Sequence, residues 1–176
     1  MFRAFRGATL AAIGLGLLTQ SGAAQTPKLE DLSAAIRPPA GLAVYLEVPA
    51  TGAQVYTCRK NDAGTWAWTL KGPDAQLLDT DKKPLGKHYA GPTWEGNDGG
   101  KVVGAAKASA PAPNDNGIPW LLLDIKSRDG DGVLTKAQAV LRVATSGGVA
   151  PTGGCDETRA DAENRVPYTA TYLFLK

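Results

Sequence analysis

Alternation of apolar and polar residues with a period of two is the feature that most limits how this chain can fold. Leu42, Val44, Leu46 and Val48 alternate with Ala43, Tyr45 and Glu47, the spacing of a strand with one face buried and one face wet. Helical spacing occurs only over Lys28 to Arg37, where Leu29, Leu32 and Ile36 would share one face of a short helix before Pro38-Pro39 stops it. A chain patterned in this way must satisfy its backbone N–H and C=O groups between strands, because a lone strand bonds none of its own. The expectation is therefore a sheet protein.

Turn residues divide the alternation into short pieces. Pro49 to Gly52 reads as a turn, with Gln54 to Cys58 returning as the second strand of a hairpin. After Asp62-Ala63-Gly64, the residues Trp66, Trp68 and Leu70 fall on one strand face and are expected to point into the core. An aromatic platform for a sugar is the other use of such a face. Further strand candidates are Gln76 to Leu78, Pro84 to Tyr89, Lys101 to Lys107, Trp120 to Lys126, Lys136 to Thr145 and Tyr168 to Leu175, separated by Gly, Pro, Asp and Asn clusters. In the last of these, Tyr168, Ala170, Tyr172 and Phe174 share one face and Leu173 and Leu175 the other, so its second half should be covered on both sides. The stretch "AAKASAPAPNDNGIP", Ala105 to Pro119, reads as a long surface loop, mobile or acting as a lid. The fold class expected is all-β: a single-domain antiparallel sandwich or barrel of about nine short strands.

The N-terminus reads as an export signal. Arg3 and Arg6 precede an apolar stretch from Gly7 to Leu18, and Ser21-Gly22-Ala23-Ala24 offers a small-residue cleavage site. This predicts a signal peptide over 1–24 and one exported β-rich domain over 25–176, periplasmic or extracellular. The apolar stretch falls short of the roughly 20 residues needed to span a bilayer, and no membrane span is expected elsewhere. Without Arg3 and Arg6, the 19 basic residues fall to 17 and match the 17 acidic ones. No basic stripe with interleaved aromatics remains, so a nucleic-acid partner is not expected. Cys58 and Cys155 are the only cysteines, and in an oxidising compartment an even pair predicts a disulfide between them.

Few catalytic arrangements can be assembled from these residues. His88 is the only histidine, which excludes zinc sites built on two or three His and the H-E-x-x-H helix. No G-x-S-x-G elbow, C-x-x-C-H haem attachment or glycine-rich phosphate loop is present, so no cofactor is expected. "SRDGDGVLTKAQ", Ser127 to Gln138, places Asp129, Asp131 and Gly132 as a calcium loop would, but Ser127 and Gln138 stand where its terminal carboxylates belong. A glycine-rich turn explains it, and no metal site is assigned. The stretch "HYAGPTWEGNDGG", His88 to Gly100, gathers the remaining chemistry. His88, Glu95 and Asp98 are candidates for an acid/base pair or for metal ligands if the Gly91-Pro92 turn folds the segment back. The other reading makes the glycines and Asp98 turn residues, His88 a buried side chain bonded to backbone and Trp94 a packed plug.

Five motifs, "VYTC" (Val55 to Cys58), "HYAGPTWEGNDGGKVVG" (His88 to Gly104), "IPWLLL" (Ile118 to Leu123), "GGVAPTGGCD" (Gly147 to Asp156) and "VPYTATYLF" (Val166 to Phe174), stand in this order. From about Pro39 to the end, the chain resembles an uncharacterised domain-of-unknown-function family of secreted bacterial and fungal proteins. The resemblance implies export and a single domain. That family has no established activity, so the resemblance assigns no catalytic residue. Two functional readings follow. One is a non-catalytic module binding a small ligand, a glycan or a protein, with Tyr89 and Trp94 near the site. The other is a hydrolase or lyase using His88 with Glu95 or Asp98.

Overall fold

The computed structural model describes Met1, residues 26–113 and residues 116–176; the export signal expected over 1–24 lies, beyond Met1, outside the described residues. Eight antiparallel strands form a closed barrel: β1 (Val44–Lys60), β2 (Trp66–Leu78), β3 (Pro84–Tyr89), β4 (Thr93–Gly96), β5 (Lys101–Ala110), β6 (Trp120–Asp129), β7 (Ala139–Gly147) and β8 (Glu163–Leu175). Each strand pairs with its neighbours in sequence, and β8 closes on β1 from Val44↔Leu175 to Thr57↔Glu163. Closure removes the unpaired edges that an open sheet leaves. Eight strands enclose a space that side chains fill, or that holds one small ligand.

The all-β architecture agrees with the alternation, and of the sandwich and barrel alternatives the barrel is the one formed. Several boundaries differ. Leu42 to Val48 and Gln54 to Cys58 are not two strands of a hairpin: the Pro49 to Gly52 stretch lies inside the 17-residue strand β1. Pro49 pairs with Thr171 of β8 and sits one residue before the first β2 pair, Ala50↔Leu77. A proline is tolerated where a strand has a neighbour on one side only. Gln76 to Leu78 is likewise the end of β2 rather than a separate strand, reached through a bulge at Val55/Tyr56 opposite Gly72. Gly72, at φ +150°, is suited to such an irregularity. The four-residue β4 was not legible as a strand. The helix expected over Lys28 to Arg37 is instead two 3-10 turns, Leu29–Asp31 and Ala34–Ile36.

Trp66, Trp68 and Leu70 correct the core expectation. They share a face, opposite Lys60, Cys58 and Tyr56 of β1, but the two tryptophans are half-buried and Leu70 is 52% exposed. The reason is topological. β3 pairs with β2 only from Asp74 to Leu78, so the first part of β2 runs past the barrel wall with β1 on one side and, among the described residues, no strand on the other.

The core is in two parts. Inside the barrel, Val48, Leu77, Trp94, Val140, Tyr172 and Phe174 belong to one buried cluster. Outside it, Leu32 and Ile36 from the N-terminal turns cover Leu122, Leu141, Leu173 and Leu175. The second half of β8 is therefore buried on both faces, as its pattern predicts. The loop expected over Ala105 to Pro119 begins later, since β5 continues to Ala110. Its far end is pinned: Ile118 N–H donates to Gly147 O at 3.1 Å, and Ile118 joins the inner cluster.

Candidate functional site

Directly opposed residues of an antiparallel pair share a face and successive residues alternate. In the β3–β4 hairpin, His88 stands opposite Trp94 and Lys87 opposite Glu95. His88 and Trp94 therefore point into the barrel, whereas Lys87, Tyr89 and Glu95 point out. Gly91, at φ +98°, adopts the left-handed conformation that lets the chain reverse within the Ala90 to Pro92 turn.

The outward group is closed on itself. Tyr89 Oη donates to Glu95 Oε2 at 2.6 Å, and Lys87 Nζ lies 3.3 Å from Glu95 Oε1. The Tyr89 hydrogen bond, then Lys87, holds the Glu95 carboxyl below its ordinary range, and the same bond pushes the Tyr89 hydroxyl up. Asp98 accepts Val133 N–H at 2.7 Å and Gly100 N–H at 3.1 Å, and the Val133 bond is the largest cause of its lowered pKa. It ties the β4–β5 turn to the segment after β6. The structure does not bring His88, Glu95 and Asp98 together: the imidazole is inside and both carboxylates are outside. Asp129, from the calcium-like loop, pairs with Lys101 Nζ at 2.9 Å.

The inward group is buried. His88 is 2% and Trp94 0% exposed. The imidazole stacks on the Trp94 indole with centroids 4.7 Å apart, and Tyr172 tilts against it at 4.8 Å. His88 Nδ1 lies 2.8 Å from Thr93 O. A carbonyl can only accept, so Nδ1 carries the proton and Nε2 keeps its lone pair. Burial, opposed by the Thr93 bond and reinforced by nearby Arg142, lowers the His88 pKa to about 4. At neutral pH the ring is uncharged, and among the described residues it lacks the carboxylate that would make it a useful base.

A cavity of about 240 Å³ opens at this end of the barrel, where the overhanging part of β2 meets the β3–β4 turn. Its apolar wall includes Leu70, Pro73, Pro92, Leu121 and Leu123, and its polar groups are Gln54, His88, Trp94, Arg142 and Tyr172, together with Lys71. Gln54 Nε2 and Trp94 Nε1 are buried donors with no hydrogen-bond partner among the described residues. Buried donors are normally satisfied, and leaving one unpaired costs about 1–3 kcal/mol. Arg142 Nη2 and Nε donate to Pro119 O at 2.8 and 3.1 Å. Burial pulls its pKa down, and the groups that oppose this are the hydroxyls of Tyr172, Tyr168 and Tyr56 rather than any carboxylate among the described residues. Arginine keeps its proton under such a shift.

Trp94 is thus both a plug and part of the cavity wall, whereas Tyr89 stands outside beside Glu95. Gln54 and Arg142 were not singled out from sequence, and Tyr172 was read only as part of a strand face. The signal was present as polarity at inward positions: Gln54 continues the Val48, Ala50, Gly52 face of β1, and Arg142 interrupts the apolar run of β7 next to Val140. Cys58 and Cys155 are joined as a disulfide, with Cα atoms 5.4 Å apart.

No helix among the described residues is long and apolar enough to cross a membrane. No curated protein and no solved structure matches the chain. Residues 38–176 match the model of the family described as Protein of unknown function (DUF3455). The match runs from the Pro38-Pro39 stop through all eight strands, so it takes in the whole barrel and every residue of the cavity. The chain belongs to this family of uncharacterised proteins.

Proposed function

We propose that this protein is a non-catalytic binding module that takes one small molecule into the cavity at the β3–β4 end of its barrel. What carries the reading is the pair of unpartnered buried donors on the cavity, Gln54 Nε2 and Trp94 Nε1. A bound ligand with acceptor atoms would satisfy both and remove their desolvation cost. The volume lies below the roughly 300 Å³ at which pockets for drug-sized molecules begin, so the ligand is small. A hydrolase or lyase built on His88 with Glu95 or Asp98 has weaker support, since both carboxylates stand outside the barrel and their lone pairs are engaged by neighbours. We place the module outside the cytoplasm; the disulfide supports this, because such bonds persist in oxidising compartments.

A thermal-shift screen of small molecules on the folded protein tests the reading. Ligands should raise the melting temperature of the wild type, since binding to the folded state alone stabilises it. The same ligands should fail on Ala106→Phe, which fills the cavity from β5. Hits that stabilise Ala106→Phe as strongly as the wild type would overturn it.

A further inference from the structure

The polar groups of the cavity are unequal in what they ask of a ligand. Gln54 Nε2, Trp94 Nε1 and Arg142 all offer hydrogens. An N–H donor set that includes a guanidinium is complementary to an acceptor that carries negative charge. The two cations at the cavity also differ. Lys71 Nζ is 2.5 Å from Glu163 Oε1 and so is already neutralised, whereas Arg142 has no carboxylate within ion-pair distance among the described residues. One uncompensated positive charge calls for one negative charge. Around it the wall is apolar, with Leu70, Pro73, Leu121 and Leu123.

Resting on the reading of the cavity as a ligand site, we propose that its ligand class is the small organic monocarboxylate with an apolar body. The carboxylate meets Arg142, Gln54 Nε2 and Trp94 Nε1, and the hydrocarbon or aromatic part lies against the leucines and prolines at the mouth. His88 cannot share the anion. Its Nδ1 hydrogen is spent on Thr93 O, and Nε2 presents a lone pair that would repel a carboxylate oxygen. The charge selectivity therefore falls on Arg142 alone. Exposed Leu70, at the overhang of β2, closes one side of the mouth against the apolar body.

The probes are benzoate and hexanoate, each beside its uncharged counterpart, benzamide and hexanol. Affinity is measured by calorimetry, and the indole N–H of Trp94 and side-chain amide of Gln54 are followed in nitrogen–proton spectra. Charge-assisted hydrogen bonds are about twice as strong as neutral ones, so the carboxylates should bind at least about tenfold more tightly than the uncharged probes. Both reporter signals should shift. Arg142→Gln should erase the preference and Arg142→Lys should keep part of it. Carboxylates and neutral probes that bind alike, with the two signals still shifting, would overturn the charge class while leaving the ligand site standing. If no probe moves the Trp94 and Gln54 signals, the cavity reading falls and the monocarboxylate proposal with it. The comparison of probes on the wild type decides the matter even if Arg142→Gln fails to fold through loss of its bonds to Pro119 O.

Discussion

The imidazole of His88 lies against the indole of Trp94, with ring centroids 4.7 Å apart and planes 15° from parallel. The contact follows from register, because the two residues are direct cross-strand partners on the inward face of one hairpin. Tyr172 and Phe174, two residues apart on β8, meet the same indole edge-on at 5.4 and 6.0 Å. These contacts join β3, β4 and β8 in the middle of the barrel. Offset-stacked and edge-on aromatic pairs each add about 0.5–1.5 kcal/mol beyond the area they bury.

Burial of His88 makes stability depend on pH. Its pKa is about 4 when folded against an ordinary 6.5, so the unfolded chain takes up a proton first. The stabilisation is complete above about pH 6.5 and is lost as pH falls through the window down to about 4, by at most roughly 3 kcal/mol. Urea unfolding at neutral pH and at about pH 4 should show this loss in the wild type. In His88→Gln the loss between the two pH values should shrink by a similar amount. An unchanged loss would mean that other groups carry the acid sensitivity.

Gly104 is matched to Trp94. A Cβ at that position would come within 2.9 Å of Trp94 Cζ3 and 3.2 Å of Cη2, and the indole cannot retreat because His88, Tyr172 and Phe174 hold it. Gly104→Ala should therefore cost roughly 1–3 kcal/mol, the range for overpacking a core. In a Trp94→Phe background the same change should cost less, because the smaller ring leaves room. Additive effects in that double-mutant cycle would rule out the clash as the cause.

The disulfide closes a loop of 97 residues between Cys58 and Cys155. In the chain-entropy model such a loop contributes about 4–5 kcal/mol, an upper figure. The paired replacement Cys58→Ser with Cys155→Ser should lower the melting temperature strongly. The local loop will loosen less, since Trp68 Nε1 still donates to Gly153 O at 2.8 Å. A variant as stable as the wild type would show that the bridge only decorates the fold.

Glu95 and Asp98 should respond differently from each other. Glu95→Ala removes an outward carboxylate that binds only Tyr89 and Lys87 and should leave melting nearly unchanged. Asp98→Ala frees the backbone N–H groups of Val133 and Gly100 and should lower stability by about 1–2 kcal/mol. Neither should change the affinity of any cavity ligand. Loss of ligand affinity in Glu95→Ala at unchanged stability would restore it as a site residue.

The strand-rich class, the two-faced β8 and the pairing of the cysteines were legible in the sequence, because alternation and a lone pair of cysteines are local or countable signals. The ends of elements were not. Pro49 to Gly52 has the composition of a turn, and only pairing with β8 on one side and, from Ala50 on, with β2 on the other keeps it extended. Trp66 and Trp68 have the spacing of a core face, but whether a face is buried depends on which strand lies beside it, and the pairing of β2 with β3 ends at Asp74. The candidate site shows the same division. His88 and Glu95 are close in sequence, yet strand alternation sends them to opposite faces. Gln54, His88 and Arg142, from β1, β3 and β7, are remote in sequence, and only closure of the sheet brings them around one cavity. Alternation along one strand is a property of neighbouring residues, whereas register and closure are set by pairings between distant ones, and the second kind of information lies in the tertiary structure.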